Sequence, residues 1–446
     1  MKLTQQLIAK FNTQDTFLVV SGYPSSQSKI DAVHDGMATY TKRTVEAIAS
    51  KKRAQFVVLV EKETSEDPHQ YAQNKVLVLP VFNKKKLTLF PVILRYLITF
   101  SQIKKIFIHS EFHIAGGISH IVLLIPFLLL IKLTGKQVYF TSHNAIHNFD
   151  DLAPHFNFKK GSLTLKIMNW GIKNYYRTLG KIVDYVVVLD EIIKQRLEKY
   201  IDGHKIIVSP HWLAKKRNAN ISKIQARKKL GIKTDEKVIL YFGFLTWYKG
   251  ADWLVEEFRK ISTKNNIRLI MAGGEAYSLK DKKYYEEYYS SIQKKANQHK
   301  EITITGFVPE NMVATYFQAA DLVVLPYRGL IGASGCLSHA IAYNKPFLMS
   351  SNMKSLLNEQ DIITIFSNSK KKVDAVMFGL NKIGFSKILS TLSDDKKLAE
   401  LYPIVKEWAS IRSEEKGIEN DWNFVYDRKM INNSPSIASA FRGLLS

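Results

Sequence analysis

Tyr241-Phe-Gly-Phe-Leu-Thr-Trp-Tyr-Lys-Gly250 and Tyr327-Arg-Gly-Leu-Ile-Gly-Ala-Ser-Gly-Cys-Leu-Ser-His-Ala340 decide how this chain is read. In each, a hydrophobic strand runs into a glycine-containing loop and then into a helix. Such a loop aims backbone N–H groups at one point, and a helix N-terminus is a ready anion site. Glycine lets a phosphate approach closely, and the first loop adds Lys249. Two such sites in one α/β region point to a nucleotide diphosphate held from two sides.

Outward from these loops, strands and helices alternate. Val238–Phe242, Ile267–Ala272, Ile302–Gly306, Leu322–Pro326 and Pro346–Met349 read as strands. Asp252–Lys260, Asn311–Ala320 and Ser334–Tyr343 read as helices, and 280–300 as an exposed, tyrosine-rich helix. An earlier series repeats the architecture: Phe17–Val20, Gln55–Val60, Val76–Pro80, Ile106–His109, Val138–Ser142, Val183–Leu189 and Lys205–Ser209. β-Branched runs separated by helices predict parallel sheets covered on both faces. The expected organisation is α/β. An N-terminal Rossmann-like acceptor domain covers 1–212, and a nucleotide-sugar domain covers 213–405. A helical segment at 406–446 is expected to cross back to the first domain. Ligands of such sheets bind at the C-terminal strand ends, so two facing domains would place the site in a central cleft.

The bulk properties narrow the function class. At 446 residues, 46% hydrophobic and 23% charged, the chain is an ordinary globular protein too long for one core. One cysteine, Cys336, leaves no disulfide framework and no cysteine zinc site. Met1-Lys-Leu-Thr-Gln-Gln is polar and reads as ordinary structure rather than a secretion signal, so a cytoplasmic location is expected. The net charge of +24 suits nucleic acid, anionic lipid or a phosphorylated substrate. It is spread evenly, with 28 Lys and Arg against 16 Asp and Glu in residues 1–213 and 36 against 24 in the remainder. No basic arm stands out, which argues against a dedicated nucleic-acid partner. The apolar run Ile121–Ile131 is 11 residues long, holds Pro126 and ends at Lys132. It falls short of the roughly 20 residues of a span. It reads either as a buried helix or as a surface that dips into a membrane interface.

The ordered motifs resemble glycosyltransferases of the GT-B fold, and within them family 4 (glycosyltransferase group 1). The resemblance runs from about residue 17 to 350. It rests on His34-Asp-Gly-Met-Ala-Thr39, Thr141-Ser-His-Asn144, Gly243-Phe-Leu-Thr-Trp-Tyr-Lys-Gly250, Gly306-Phe-Val-Pro309 and Ala342-Tyr-Asn-Lys-Pro346. It implies a retaining, metal-independent transfer from a nucleotide diphosphate sugar, the donor substrate, to a glycan or lipid-linked acceptor. Bacterial-type polysaccharide or glycoconjugate synthesis is the setting. No cofactor is implied, and an anionic membrane surface is a further candidate partner. The alternative is a non-catalytic glycosyltransferase-like subunit that binds a partner or a glycan.

The resemblance assigns Lys249 to the donor diphosphate, where an ammonium offsets charge on the leaving group. A solvated lysine at a helix start is the bland alternative. Phe244, Gly250, Val308, Arg328, Gly332, Ser334, Gly335 and His339 are the other donor-side candidates. Ser334 equally suits an ordinary N-cap and Arg328 an exposed turn. His143 follows a strand and is expected beside the reacting sugar, as a hydrogen-bonding or proton-handling group. Gly36, Met37, His109, Glu111 and His113 are candidates for the acceptor side. The His109, Glu111, His113 spacing leads into a Gly-Gly turn and is a poor metal set. Asp190-Glu191, the nearest approach to a metal-diphosphate motif, reads instead as a helix cap. Three departures stand out. Phe244 occupies the place of the family's usual arginine, and Ile331 and His339 occupy those of its two glutamates.

Overall fold

The structure, a computed structural model, describes residues 3–24, 36–62, 68–83, 86–110, 118–146, 148–156, 158–210, 212–213, 221–261, 266–276, 279–330, 334–368 and 373–427. Two compact units emerge. One comprises 1–147, 166–210 and 418–446, and the other 148–165 and 211–417. Glu111, His113, Gly332, Ile331 and the expected linker 215–220 lie outside the described residues.

The strands of the first unit are β1 Thr16–Val20, β2 Gln55–Glu61, β3 His69–Tyr71, β4 Val76–Phe82, β5 Lys105–Ser110, β6 Gln137–Ser142, β7 Tyr185–Val188 and β8 Ile206–Val208. They form one sheet in the order β3-β4-β2-β1-β5-β6-β7-β8. All pairs are parallel except β3 on β4, an antiparallel edge strand that the sequence pattern did not announce. The central strands are buried on both faces, as their unbroken Val, Leu, Ile and Phe runs require.

The second unit contributes β9 Lys237–Phe242, β10 Ile267–Ala272, β11 Ile302–Ile304, β12 Leu322–Leu325, β13 Phe347–Ser350 and β14 Met377–Phe378. Their order is β11-β10-β9-β12-β13-β14, wholly parallel. That is the doubly wound Rossmann order, with the reversal of direction between β9 and β12. In the first unit the equivalent reversal falls between β1 and β5.

Both sheets close their N-terminal ends in the same way. In the first unit Asp184 accepts from the Val138 N–H at 2.7 Å and from Lys132 Nζ at 2.7 Å. In the second, Asp321 accepts from the Val238 N–H at 2.7 Å and from Arg227 at 2.7 Å. Breaking a buried pair of this kind one-sidedly costs about 3–5 kcal/mol. These ends are therefore fixed, which leaves the C-terminal ends for chemistry.

Three elements bear on the sequence reading. Residues 148–165 cluster with the second unit, where Phe149–Phe156 packs against Trp247–Lys249. The chain returns to the first unit at Ile418. There Tyr426 packs on the rings of Phe17, Phe56 and Phe107, and its carbonyl accepts from Lys105 Nζ at 2.6 Å. The apolar run lies in the helix Ile118–Leu133, which fits both readings at once. Phe127, Leu128 and Ile131 are buried, while Val122, Leu130 and Leu133 on its other side are exposed. Among the described residues, no helix is long and apolar enough to cross a membrane.

Candidate active site

At the second unit's reversal point, β9 is followed by Gly243 and β12 by Pro326, each opening a loop. Gly243 has φ +108°, and a Cβ there would lie 2.9 Å from Cys336 Sγ and 3.1 Å from Lys249 Nζ. Lys249 therefore folds back over the end of β9, towards the start of the helix Gly335–Ala342. Its ammonium lies 5.9 Å from the ring centroids of both Phe244 and Tyr248. Burial pulls its pKa down, but Tyr248 and Cys336 beside it leave the pKa above the ordinary lysine value. Lys249 is thus charged at neutral pH and has no carboxylate partner among the described residues. That combination suits a site waiting for an anion.

Gly250 is fixed by packing as well as by φ. It sits at φ +71°, and a Cβ would fall 1.9 Å from the Pro326 carbonyl oxygen. The lysine loop is therefore seated directly on the end of β12. Arg328 locks it there. Its N–H donates to the Tyr248 carbonyl at 2.7 Å, and its guanidinium donates to the Trp247 carbonyl and, through two nitrogens, to both oxygens of Asp252. Arg328, a donor-side candidate, forks its guanidinium onto Asp252 and so shapes the loop. Thr246, in the same loop, is buried, and its hydroxyl oxygen has no hydrogen-bond partner among the described residues.

Ser334 is the N-cap of the helix Gly335–Ala342, accepting from the Leu337 N–H. Cys336 Sγ–H donates to the Phe242 carbonyl at 2.8 Å and pins the helix start to β9. The first N–H groups of this helix and Lys249 accordingly converge on the end of β9. His339, one turn along, packs among Phe242, Phe317 and Tyr343, with ring centroids 5.4, 5.7 and 6.2 Å away. Val308 is buried in the loop that follows β11.

The first unit's reversal point carries different chemistry. His109 stands near the end of β5 and His143 just beyond β6, their ring centroids 5.4 Å apart. Tyr40, from the helix Gly36–Lys51, stands edge-on to His143 at 5.2 Å. Thr41 Oγ1 donates to the Met37 carbonyl at 3.0 Å and lies 2.7 Å from Ser21 Oγ and 3.0 Å from His109 Nδ1. A hydroxyl has one proton, so Ser21 and His109 must donate to Thr41. That assignment puts the His109 proton on Nδ1 and leaves Nε2 an acceptor. Burial, then the neighbouring His143, holds the His109 pKa well below the usual imidazole value. Met37 is buried and Gly36 opens the helix. Ser21, Tyr40 and Thr41 were not foreseen, because nothing local marks a hydroxyl as facing a distant histidine. Asp190 caps the helix Glu191–Leu197 through the Ile193 N–H at 2.7 Å.

Two Rossmann-like units of this topology define the GT-B glycosyltransferase fold. The solved structures of similar shape bear this out. Sucrose-phosphate synthase from Thermosynechococcus elongatus matches with a TM-score of 0.68 at 13% identity, over 92% of this chain and 98% of its own. HepE from Anabaena, solved with UDP and glucose, matches at 0.59 and 12% identity, over 92% and 98%. Within that fold, residues 236–377 match the model of the family described as Glycosyl transferases group 1. An uncharacterized glycosyltransferase of Methanocaldococcus jannaschii is 28% identical over 165 residues, 36% of this chain. The matched part spans 39% of that relative's length.

Proposed function

We propose that the protein is a retaining glycosyltransferase that moves a sugar from a nucleotide diphosphate sugar to a glycan or lipid-linked acceptor without a metal. The observation that carries this reading is the convergence of Lys249 and the start of the helix Gly335–Ala342 on the end of β9. A half-buried ammonium beside a helix N-terminus offsets the charge that develops on a departing diphosphate. The bond from the anomeric carbon to the diphosphate oxygen breaks as the acceptor oxygen bonds to that carbon on the same face. The acceptor proton passes to the departing diphosphate. His143 and the Nε2 of His109 serve as hydrogen-bonding groups for sugar hydroxyls. HepE is solved with UDP, which makes UDP-sugars the first donors to try.

The second reading, a non-catalytic glycosyltransferase-like subunit, draws on Phe244, Ile331 and His339 standing where the family usually carries charged groups. Nucleotide release measured across several nucleotide sugars, with candidate acceptors, separates the two. Release that survives EDTA within about twofold is expected, because the chain's nearest metal-diphosphate candidate, Asp190, is used as a helix cap. No release with any donor, while nucleotide still binds, would favour the subunit. Loss in EDTA restored by Mn²⁺ would overturn metal independence.

A further inference from the structure

Three helices between strands of the first unit's sheet share an unusual composition. Leu89–Thr99, Ile118–Leu133 and Leu163–Ile182 contain no Asp or Glu, in a chain that has 40. They carry Arg95, Lys132, Lys166, Lys173, Arg177 and Lys181. Each leads, in chain order, to the next strand in the same direction across the sheet, from β4 to β5, β5 to β6 and β6 to β7. Parallel crossovers are right-handed, so all three helices lie on one face. Phe90 of the first helix packs against Phe127 of the second at 5.0 Å.

The outward sides of these helices are apolar. Ile98, Val122, Leu130, Leu133, Ile167 and Trp170 are exposed, Trp170 at 70% and Val122 at 63%. Ile167 and Trp170 lie three residues apart on one side of their helix, flanked by exposed Lys166 and Lys173. Large apolar side chains on a monomer's surface are ordinary one by one. A carboxylate-free set over three neighbouring helices is not.

We propose that this face is a docking surface for an anionic lipid bilayer. Apolar side chains enter the acyl boundary, and the flanking lysines keep their ammonium groups at the phosphate level. Charge complementarity selects this occupant, because three helices that carry cations and no carboxylates of their own are attracted to anionic headgroups, with exposed Lys166 and Lys173 beside Ile167 and Trp170. The attachment would lie beside the strand ends that carry His109 and His143, where a lipid-linked acceptor would be used. That link rests on the function proposed above, whereas the docking itself does not.

Co-sedimentation of the full chain with vesicles tests it. Vesicles of phosphatidylcholine alone and of phosphatidylcholine with phosphatidylserine serve as probes. The chain should bind the anionic vesicles and release as salt rises. Lys166→Glu/Lys173→Glu should weaken that binding at least about tenfold. Ile167→Ser/Trp170→Ser should weaken it comparably, and should weaken the binding that remains at high salt most. These side chains are exposed, so circular dichroism should show folded proteins, and nucleotide affinity should be unchanged. Equal binding to both vesicle types, or variants that bind like the parent, would overturn the proposal. So would a dimer that dissociates in Ile167→Ser/Trp170→Ser, which would make the face a contact between copies. Failed transfer with intact vesicle binding would count against the function and not against the docking.

Discussion

The two reversal points sit at equivalent places in equivalent sheets and hold opposite chemistry. Between β9 and β12 the site is made of backbone, a helix start and one cation, Lys249. Between β1 and β5 it is made of hydroxyls and the half-buried His109 imidazole, whose pKa is held low, with His143 beside it. The fold supplies the location in both cases, since a parallel sheet opens a crevice where its strand order reverses. The side chains choose the ligand class. A charged site with no internal counter-ion invites an anion, and a neutral hydrogen-bonding site invites a polyol.

The sharpest way to break this contrast is to remove the cation. Lys249→Ala should lower kcat/KM by at least about tenfold, or about 1.4 kcal/mol of transition-state stabilisation. If the proposed function holds, the loss should appear with every nucleotide sugar the protein accepts, because the diphosphate is common to all. Near-normal turnover would take Lys249 out of the mechanism and leave only the helix start as the anion site.

The neutral site should reveal itself through pH. The His109 pKa is held below its unfolded value, so the unfolded chain binds more protons as pH drops below about 6.5. Stability is therefore whole above that pH and is lost as pH falls towards the folded pKa. His109→Gln can still donate to Thr41 but cannot titrate, so its stability should depend less on pH across that window. Denaturant unfolding at about pH 7.5 and about pH 5.5 measures this. An identical pH slope in parent and variant would show that His109 is not the neutral group it is drawn to be.

His339 should give the smallest effect, and it separates packing from binding within the charged site. His339→Phe keeps a ring among Phe242, Phe317 and Tyr343 but can offer no hydrogen bond. If the imidazole holds the ribose, nucleotide affinity should fall roughly fivefold, about 1 kcal/mol, with stability retained. His339→Ala should lose stability as well, through the missing ring contacts. Calorimetric titration reads the first and denaturant unfolding the second. Unchanged affinity in His339→Phe would make the residue part of the aromatic packing alone.

Much of the Lys249 loop was legible because its signals are local. A strand, a glycine and a lysine within ten residues imply a loop conformation whatever surrounds them, and Gly243 and Gly250 both adopt the positive φ that such a loop needs. Asp190 was legible as a cap for the same reason. Arg328 was not. Whether a guanidinium meets a ligand or a neighbouring carboxylate depends on where Asp252 lies, and that is set by Gly250 docking on Pro326. The network around Thr41 was equally hidden, because Ser21, Thr41 and His109 are far apart in sequence and meet only through the fold.

By itself the sequence determined the doubly wound character of both units and the place of the anion loop. Runs of β-branched residues and glycine at strand ends carry that information over a few residues each. Tertiary structure alone decided which groups face one another. It placed the expected return to the first unit at Ile418 and set Tyr426 against β1, β2 and β5. It also divided the apolar helix Ile118–Leu133 into a buried and an exposed side. That helix is apolar all round, so its composition holds no direction. Only the sheet beneath it, by covering one side, could choose which residues meet solvent.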